Sequence, residues 1–109
     1  MRAVVALSAL GAPFTAESLA FIMVPALIYH AEKDRFLVMR FHGDWVAKNM
    51  MSAQYCVILN AWHFAFMDTP TFPVGSVDGD VGADPAGFDR KGLLKQLGRD
   101  VSVFFDAAM

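Results

Sequence analysis

Residues 24–34, which read VPALIYHAEKD, decide the fold of this chain. An apolar run follows Pro25, and a polar segment that closes with Asp34 follows the run. A short apolar run bounded by turn residues is typical of a buried strand in a parallel sheet. We therefore predict a strand over residues 25–31 whose carboxyl end leads to Asp34.

The same arrangement recurs twice along the chain. Residues 54–59 form a second apolar run, and the segment NAWHFAF at residues 60–66 then brings His63. Residues 3–8 form an earlier run that ends at Ser8, before the turn signal Gly-Ala-Pro at residues 11–13. The sequence thus predicts three strands with polar side chains at their carboxyl ends.

Helical patterns separate and follow these strands. We expect a brief helical turn that opens at residues 15–18 and ends before Val24-Pro25, and an amphipathic helix over 38–50 with its apolar positions on one face. Residues 67–88 carry no regular period and are predicted to be irregular. A final helix has a single apolar stripe, which consists of Leu94, Leu97, Val101, Phe104, Phe105 and Ala108. Strands that alternate with helices indicate an α/β domain with a parallel sheet and flanking helices.

The two segments that carry Asp34 and His63 resemble the C-terminal half of an α/β-hydrolase of the dienelactone-hydrolase-like group. The segment Phe88-Asp89-Arg90 fits the same region of that family. The resemblance covers nearly the whole chain, and we expect residues 1–109 to form a single domain that corresponds to the C-terminal part of such a hydrolase. It implies a truncated α/β-hydrolase fold containing the last three of the family's eight strands, with Asp34 as triad acid and His63 as triad base.

An acid followed by a histidine, each after a strand, suits hydrolysis of an ester or lactone. The carboxyl ends of parallel strands border the crevice where ligands bind, and a carboxylate there can hold an imidazole in the tautomer that accepts a proton. Taken singly, Asp34 could merely cap a turn and His63 could be an ordinary loop residue. The aromatic residues beside His63 could line an acyl pocket or simply pack.

The nucleophile is the missing part of this pattern. No G-x-S-x-G elbow occurs in the chain. Ser8 is the one positional candidate, because it ends a strand at the same sheet edge as Asp34 and His63; the alternative is a small polar strand-end residue. Cys56 lies within an apolar strand, and we predict that it is an inert thiol of the core.

We expect neither a metal nor another cofactor. The chain has three histidines but no H-x-x-x-H or C-x-x-C spacing. The segment Asp78-Gly79-Asp80 with Asp84 resembles a calcium loop, but Gly82 and Ala83 stand where an oxygen ligand and a glycine are required.

Charge and hydropathy limit the partners. The net charge of −2 provides no basic surface for nucleic acid. The uncharged stretch at residues 3–16 contains Pro13 and is shorter than the ~20 residues of a membrane-spanning helix. These residues could instead be a signal peptide, since Arg2 precedes an apolar run and small residues. We favour a buried strand and a cytoplasmic location, with secretion as the alternative.

The resemblance also has a consequence for assembly. If the first strand is an edge left by absent strands, its unpaired backbone groups would pair with a second copy, and we expect a homo-oligomer. Two functions remain open at this stage. The chain could be an esterase or lactonase with an Asp-His pair, or a non-catalytic remnant that serves as an interaction module or a truncated reading frame, which a start directly on a strand favours.

Overall fold

Three parallel strands form the centre of the molecule. A computed structural model describes residues 2–76 and 79–108. The sheet has the order β1-β2-β3, with β1 at Val4–Leu7, β2 at Ala26–Ala31 and β3 at Ala53–Ile58. Three α-helices flank it: α1 (Ala16–Ala20), α2 (Gly43–Asn49) and α3 (Arg90–Ala108). The described residues also contain two 3-10 turns (Met39–Phe41 and His63–Phe66) and a pair of two-residue strands, β4 (Gly75–Ser76) and β5 (Gly79–Asp80).

The predicted α/β domain with a parallel sheet and flanking helices is confirmed, and each predicted strand lies within one residue of its observed bounds. Strand β2 lies between the other two and is buried along its whole length. This position explains its unbroken apolar run, because both faces of a central parallel strand are covered. The helical turn expected at residues 15–18 is the start of α1, where Thr15 Oγ1 accepts a hydrogen bond from Ser18 N at 3.1 Å.

The two faces of the sheet carry separate cores. Alternate residues of β2 point to opposite faces, so Ile28 packs with Leu19 of α1 and Val46 of α2, while Leu27 and Tyr29 pack with α3. All six residues of the predicted α3 stripe belong to this second core. The helical period of that segment is therefore confirmed, and the stripe faces the sheet.

The helix predicted over residues 38–50 begins later than expected. Residues Met39–Phe41 form a 3-10 turn, and α2 starts only at Gly43. His42 separates the two with a non-helical backbone (φ −123°, ψ −88°), so the apolar side chains before and after it do not share one face. Val38 and Phe41, two apolar positions of the helix predicted over residues 38–50, are 47% and 54% exposed.

The prediction that Cys56 is a core residue was wrong. Cys56 is exposed, although it lies within β3 as expected. Its side chain shares the sheet face of Leu27 and Tyr29, where α3 packs over β1 and β2 and leaves the middle of the edge strand β3 uncovered. An apolar run fixes that a segment is a strand, but the width of the helix that crosses it decides which positions are covered.

Residues 67–88 are largely irregular, apart from the short β4–β5 pair, which sequence periodicity could not reveal in two-residue strands. Asp78, one member of the segment compared with a calcium loop, lies outside the described residues.

Arg90 anchors residues 81–84 to α3: its guanidinium is buried, donates to both oxygens of Asp84, and donates to the Val81 carbonyl at 3.0 Å. Across the described residues, no helix has both the length and the apolar character needed to cross a membrane.

Candidate active site

Asp34 lies in the turn after β2, and its two carboxylate oxygens have different partners. Oδ1 accepts hydrogen bonds from the backbone N–H groups of Phe36 at 2.9 Å and Leu37 at 2.8 Å. The side chain is fully buried. Two backbone donors thus stabilise the charge, because they replace the water that burial removes. The other oxygen, Oδ2, is directed at a histidine.

That histidine is His63, at the start of the 3-10 turn after β3. Its Nδ1 donates to Asp34 Oδ2 at 2.6 Å, although 29 residues separate the two in sequence. Because the carboxylate can only accept, the proton resides on Nδ1 and the lone pair on Nε2. The imidazole is 25% exposed, so it lies at the border between the buried carboxylate and solvent.

The loop between β3 and His63 has a defined shape. Asn60 has a φ of +58°, a left-handed conformation that asparagine tolerates better than most residues. Its Oδ1 accepts from Lys33 Nζ at 2.7 Å, and its Nδ2 donates to the Ala86 carbonyl at 2.9 Å. These contacts connect the His63 loop with the Asp34 turn and with the segment before α3. The position of His63 is therefore supported from two sides.

A cavity opens beside the imidazole. It has a volume of about 410 Å³ and is lined by Leu7, Ser8, Leu37, His63, Phe64, Phe66 and Met67. The rings of Phe36 and Phe64 also flank His63, with centroids 5.2 and 5.0 Å from the imidazole. A cavity of this size with mostly apolar walls suits a small apolar group. Of the aromatic residues beside His63, Phe64 and Phe66 line this cavity, whereas Trp62 lies under the Arg35 guanidinium at 6.0 Å.

His30 is the residue whose role the sequence did not reveal. It is fully buried at the end of β2, and its Nε2 donates to the Leu37 carbonyl at 2.5 Å. The same nitrogen lies 3.8 Å from Asp34 Oδ2, while Nδ1 is buried and has no partner within the described residues. His30 thereby fixes the turn whose N–H groups hold Asp34. His30 follows Ile28 by two residues, so both side chains lie on the same face of β2. This spacing was the sequence signal that His30 points inward.

Ser8 lies at the carboxyl end of β1, at the sheet edge where we expected it. Its backbone N–H donates to the Tyr29 carbonyl at 2.9 Å, which continues the ladder between β1 and β2. Its φ is +57°, a conformation that few residues other than glycine adopt. Its Oγ is buried and has no hydrogen-bond partner within the described residues. The structure thus brings all three predicted site residues to the carboxyl ends of the strands, and both Ser8 and His63 line the same cavity.

The remaining histidine, His42, lies outside this site and connects two loops. His42 Nδ1 accepts hydrogen bonds from the N–H groups of Gly11 at 3.0 Å and Ala12 at 3.4 Å, so it joins the turn after β1 to the start of α2. His42 is not among the residues that line the Ser8–His63 cavity. In the part of the chain that the structure describes, no three His, Cys, Asp or Glu side chains are grouped so as to hold a metal ion.

A second cavity, of about 430 Å³, lies on the α3 face next to Cys56. Although Cys56 is exposed as a residue, its thiol is partly desolvated beside α3, and this desolvation, followed by the charge of Asp100, raises the pKa of the thiol. The same two causes, in the same order, raise the pKa of the Tyr29 phenol. Burial, followed by the hydrogen bond to Asp44, raises the pKa of Tyr55. All three groups are therefore held in their neutral forms, which makes this cavity a poor place for a nucleophile.

Comparison with known proteins identifies no family for this chain. No protein-family model matches it, and no curated protein sequence matches it significantly. The likeness to dienelactone-hydrolase-like proteins therefore stays a prediction. The observed features are a buried carboxylate, an imidazole bonded to it, and an adjacent cavity, which together can accept a proton from a bound nucleophile.

Proposed function

We propose that this chain is a hydrolase of small carboxylic esters or lactones, with His63 as general base and Asp34 as its orienting acid. The observation that carries the proposal is the 2.6 Å hydrogen bond between His63 Nδ1 and the fully buried Asp34 Oδ2. An imidazole held in this way keeps its Nε2 lone pair available and is stabilised as a cation once it takes a proton.

The surroundings of His63 support the choice of substrate class. The cavity walls are apolar side chains of Leu37, Phe64, Phe66 and Met67, and its volume is that of a small molecule. An ester or lactone with a short acyl chain is uncharged and would leave no charge unpaired on these walls. In the proposed reaction, Nε2 takes the proton of the attacking hydroxyl group or water and returns it to the leaving oxygen.

The proposal predicts modest turnover that depends on His63. General acid–base catalysis supplies about 10²–10⁴-fold over the uncatalysed rate. We expect the purified protein to hydrolyse p-nitrophenyl acetate and the lactone dihydrocoumarin, and we expect His63→Ala to lose that activity. Asp34→Asn should also lose it, because an amide N–H facing Nδ1 would move the imidazole proton to Nε2.

Any exposed imidazole can cleave an activated ester slowly, so the control must remove a histidine elsewhere. His42→Asn serves this purpose, because the Asn Oδ1 can replace the Nδ1 acceptor that holds Gly11 and Ala12. Equal rates in the wild type, His63→Ala and His42→Asn would refute the hydrolase proposal. Activity lost only from the two site variants, with circular dichroism unchanged, would support it.

The second candidate is a non-catalytic module that assembles with copies of itself. The observation that favours it is the position of β1 at one edge of the three-stranded sheet, where its last residue, Leu7, is 41% exposed. An edge strand with apolar neighbours pairs readily with another strand. Assembly and catalysis are compatible. Substitutions of His63 and Asp34 test catalysis, whereas a substitution in β1 tests assembly.

A further inference from the structure

Ser8 combines three features at one position, each with its own observation. Its backbone lies in the left-handed region, with φ +57°. Its hydroxyl oxygen is buried and has no hydrogen-bond partner among the described residues. Ser8 is one of the residues that line the cavity beside His63. The first two features oppose folding, and such unfavourable features concentrate at functional sites.

We propose that Ser8 is the nucleophile of this site and forms an acyl-enzyme with the ester or lactone. The proposal rests on the proposed function, since it names the group that His63 deprotonates. It also gives a reason for the conformation of Ser8, because a strained turn directly after a strand is where serine nucleophiles of parallel sheets are found. Here the turn leads to Gly11, rather than straight into a helix.

The first half-reaction begins with a rotation of the Ser8 side chain about its Cα–Cβ bond, which moves the covered Oγ into the cavity. Oγ then bonds to the carbonyl carbon of the substrate, and its proton passes to His63 Nε2. When the tetrahedral intermediate collapses, the bond from the carbonyl carbon to the leaving oxygen breaks. The leaving oxygen takes the proton from Nε2, and the acyl group remains on Ser8.

The second half-reaction restores the enzyme. A water molecule attacks the acyl carbon and gives its proton to His63 Nε2. The bond between the acyl carbon and Ser8 Oγ breaks, and Oγ recovers the proton from Nε2. The products are the free acid and the original serine. Nothing is oxidised or reduced, so the site needs no co-reactant besides water.

The test uses a fluorophosphonate, which reports the nucleophile without requiring turnover. In the labelling reaction the serine Oγ bonds to phosphorus, fluoride leaves, and His63 takes the proton. We expect one adduct per chain by intact mass, located on Ser8 by peptide mapping, and a labelling rate at least about 10²-fold lower in His63→Ala. Ser8→Gly should abolish the adduct, and glycine accepts the positive φ, so this variant should keep its fold.

Matched controls make the outcome decisive. Ser102→Ala removes an exposed serine of α3 and should label like the wild type. If His63→Ala unfolds because the buried Asp34 carboxylate loses its hydrogen-bond donor, His63→Gln provides a second variant with a polar side chain. No adduct on Ser8, an adduct elsewhere, or labelling that is indifferent to His63 would overturn the proposal.

The two proposals can fail separately. Ester hydrolysis that depends on His63 but survives in Ser8→Gly would reject Ser8 as the nucleophile and leave a hydrolase that activates water directly. A His63-dependent adduct on Ser8 without ester turnover would support the nucleophile and reject the hydrolase.

Discussion

Asp34 and His30 form a unit in which each residue orients the other. Asp34 Oδ1 accepts from the N–H of Leu37, and the carbonyl of the same residue accepts from His30 Nε2. Leu37 is therefore held at both its donor and its acceptor. The short turn after β2 is fixed in this way, and Oδ2 remains free for His63. The geometry of the candidate base thus depends on a histidine that does not line the cavity.

Substitutions of His30 should separate hydrogen bonding from packing. We expect His30→Leu to lower the free energy of unfolding by about 1–3 kcal/mol, because the partly buried Leu37 carbonyl loses its donor. His30→Gln keeps an N–H at a similar reach and should lose less. Urea denaturation of both variants measures the difference. Equal losses would show that the hydrogen bond to Leu37 contributes nothing beyond the volume of the ring.

Cys56 gives a prediction with a defined pH dependence. Since partial desolvation and then Asp100 raise the pKa of its thiol, the thiolate fraction at pH 8 is smaller than that of an ordinary cysteine, whose pKa is 9.0. Alkylation by iodoacetamide should be slower in the folded protein than in urea, and its rate should still be rising above pH 9.0. Asp100→Asn should accelerate the reaction at pH 8. Equal rates in the folded and unfolded protein would contradict this.

At the scale of elements, the start of α2 matters most, because it covers His30. A Cβ added at Gly43 would lie 2.8 Å from the His30 ring and 2.7 Å from the hydroxyl of Tyr55. That hydroxyl already donates to Asp44 Oδ1 at 2.7 Å, so it is not free to move away. The close approach of α2 to β2 therefore requires a glycine at this position.

Two glycine-to-alanine substitutions test this requirement against helix propensity. Gly43→Ala should lower stability by about 1–3 kcal/mol through overpacking. Gly98→Ala should raise it by about 0.5–1 kcal/mol, because Gly98 is an exposed position inside α3 where an added Cβ meets nothing within 4 Å. Urea midpoints compare the two. Similar effects of both substitutions would mean that the contact with His30 can relax without cost.

At the scale of the whole molecule, the open edge of β1 determines what the chain can assemble with. The N–H of Val4 donates to the Pro25 carbonyl just before β2, and the N–H of Ser8 donates to the Tyr29 carbonyl in β2. Because N–H groups alternate in direction along a strand, those of Val5 and Leu7 point to the open edge. A second copy aligned by two-fold symmetry could pair with this edge and continue the sheet.

A proline at Leu7 should abolish such pairing and leave the ladder with β2 intact, because it removes only an outward N–H. We expect the wild-type protein to sediment as a dimer or larger oligomer at tens of micromolar, Leu7→Pro as a monomer, and Leu7→Ala like the wild type. Analytical ultracentrifugation distinguishes these states. A monomeric wild type would contradict assembly through β1, and an oligomeric Leu7→Pro would place the interface elsewhere.

The sequence by itself determined the three strands, the α3 stripe and the common sheet edge of Ser8, Asp34 and His63. Local hydrophobic period sets strands and helices, and parallel connection brings their carboxyl ends together. The tertiary structure alone decided the late start of α2, the exposure of Cys56, the burial of His30 and the anchoring role of Arg90. These depend on contacts between segments far apart in sequence, which a period of two or 3.6 residues does not encode. The left-handed backbone conformation of Ser8 was also decided by the tertiary structure. The residue at this position is neither a glycine nor an asparagine, so nothing in the sequence indicated a positive φ, and the surrounding fold imposes it.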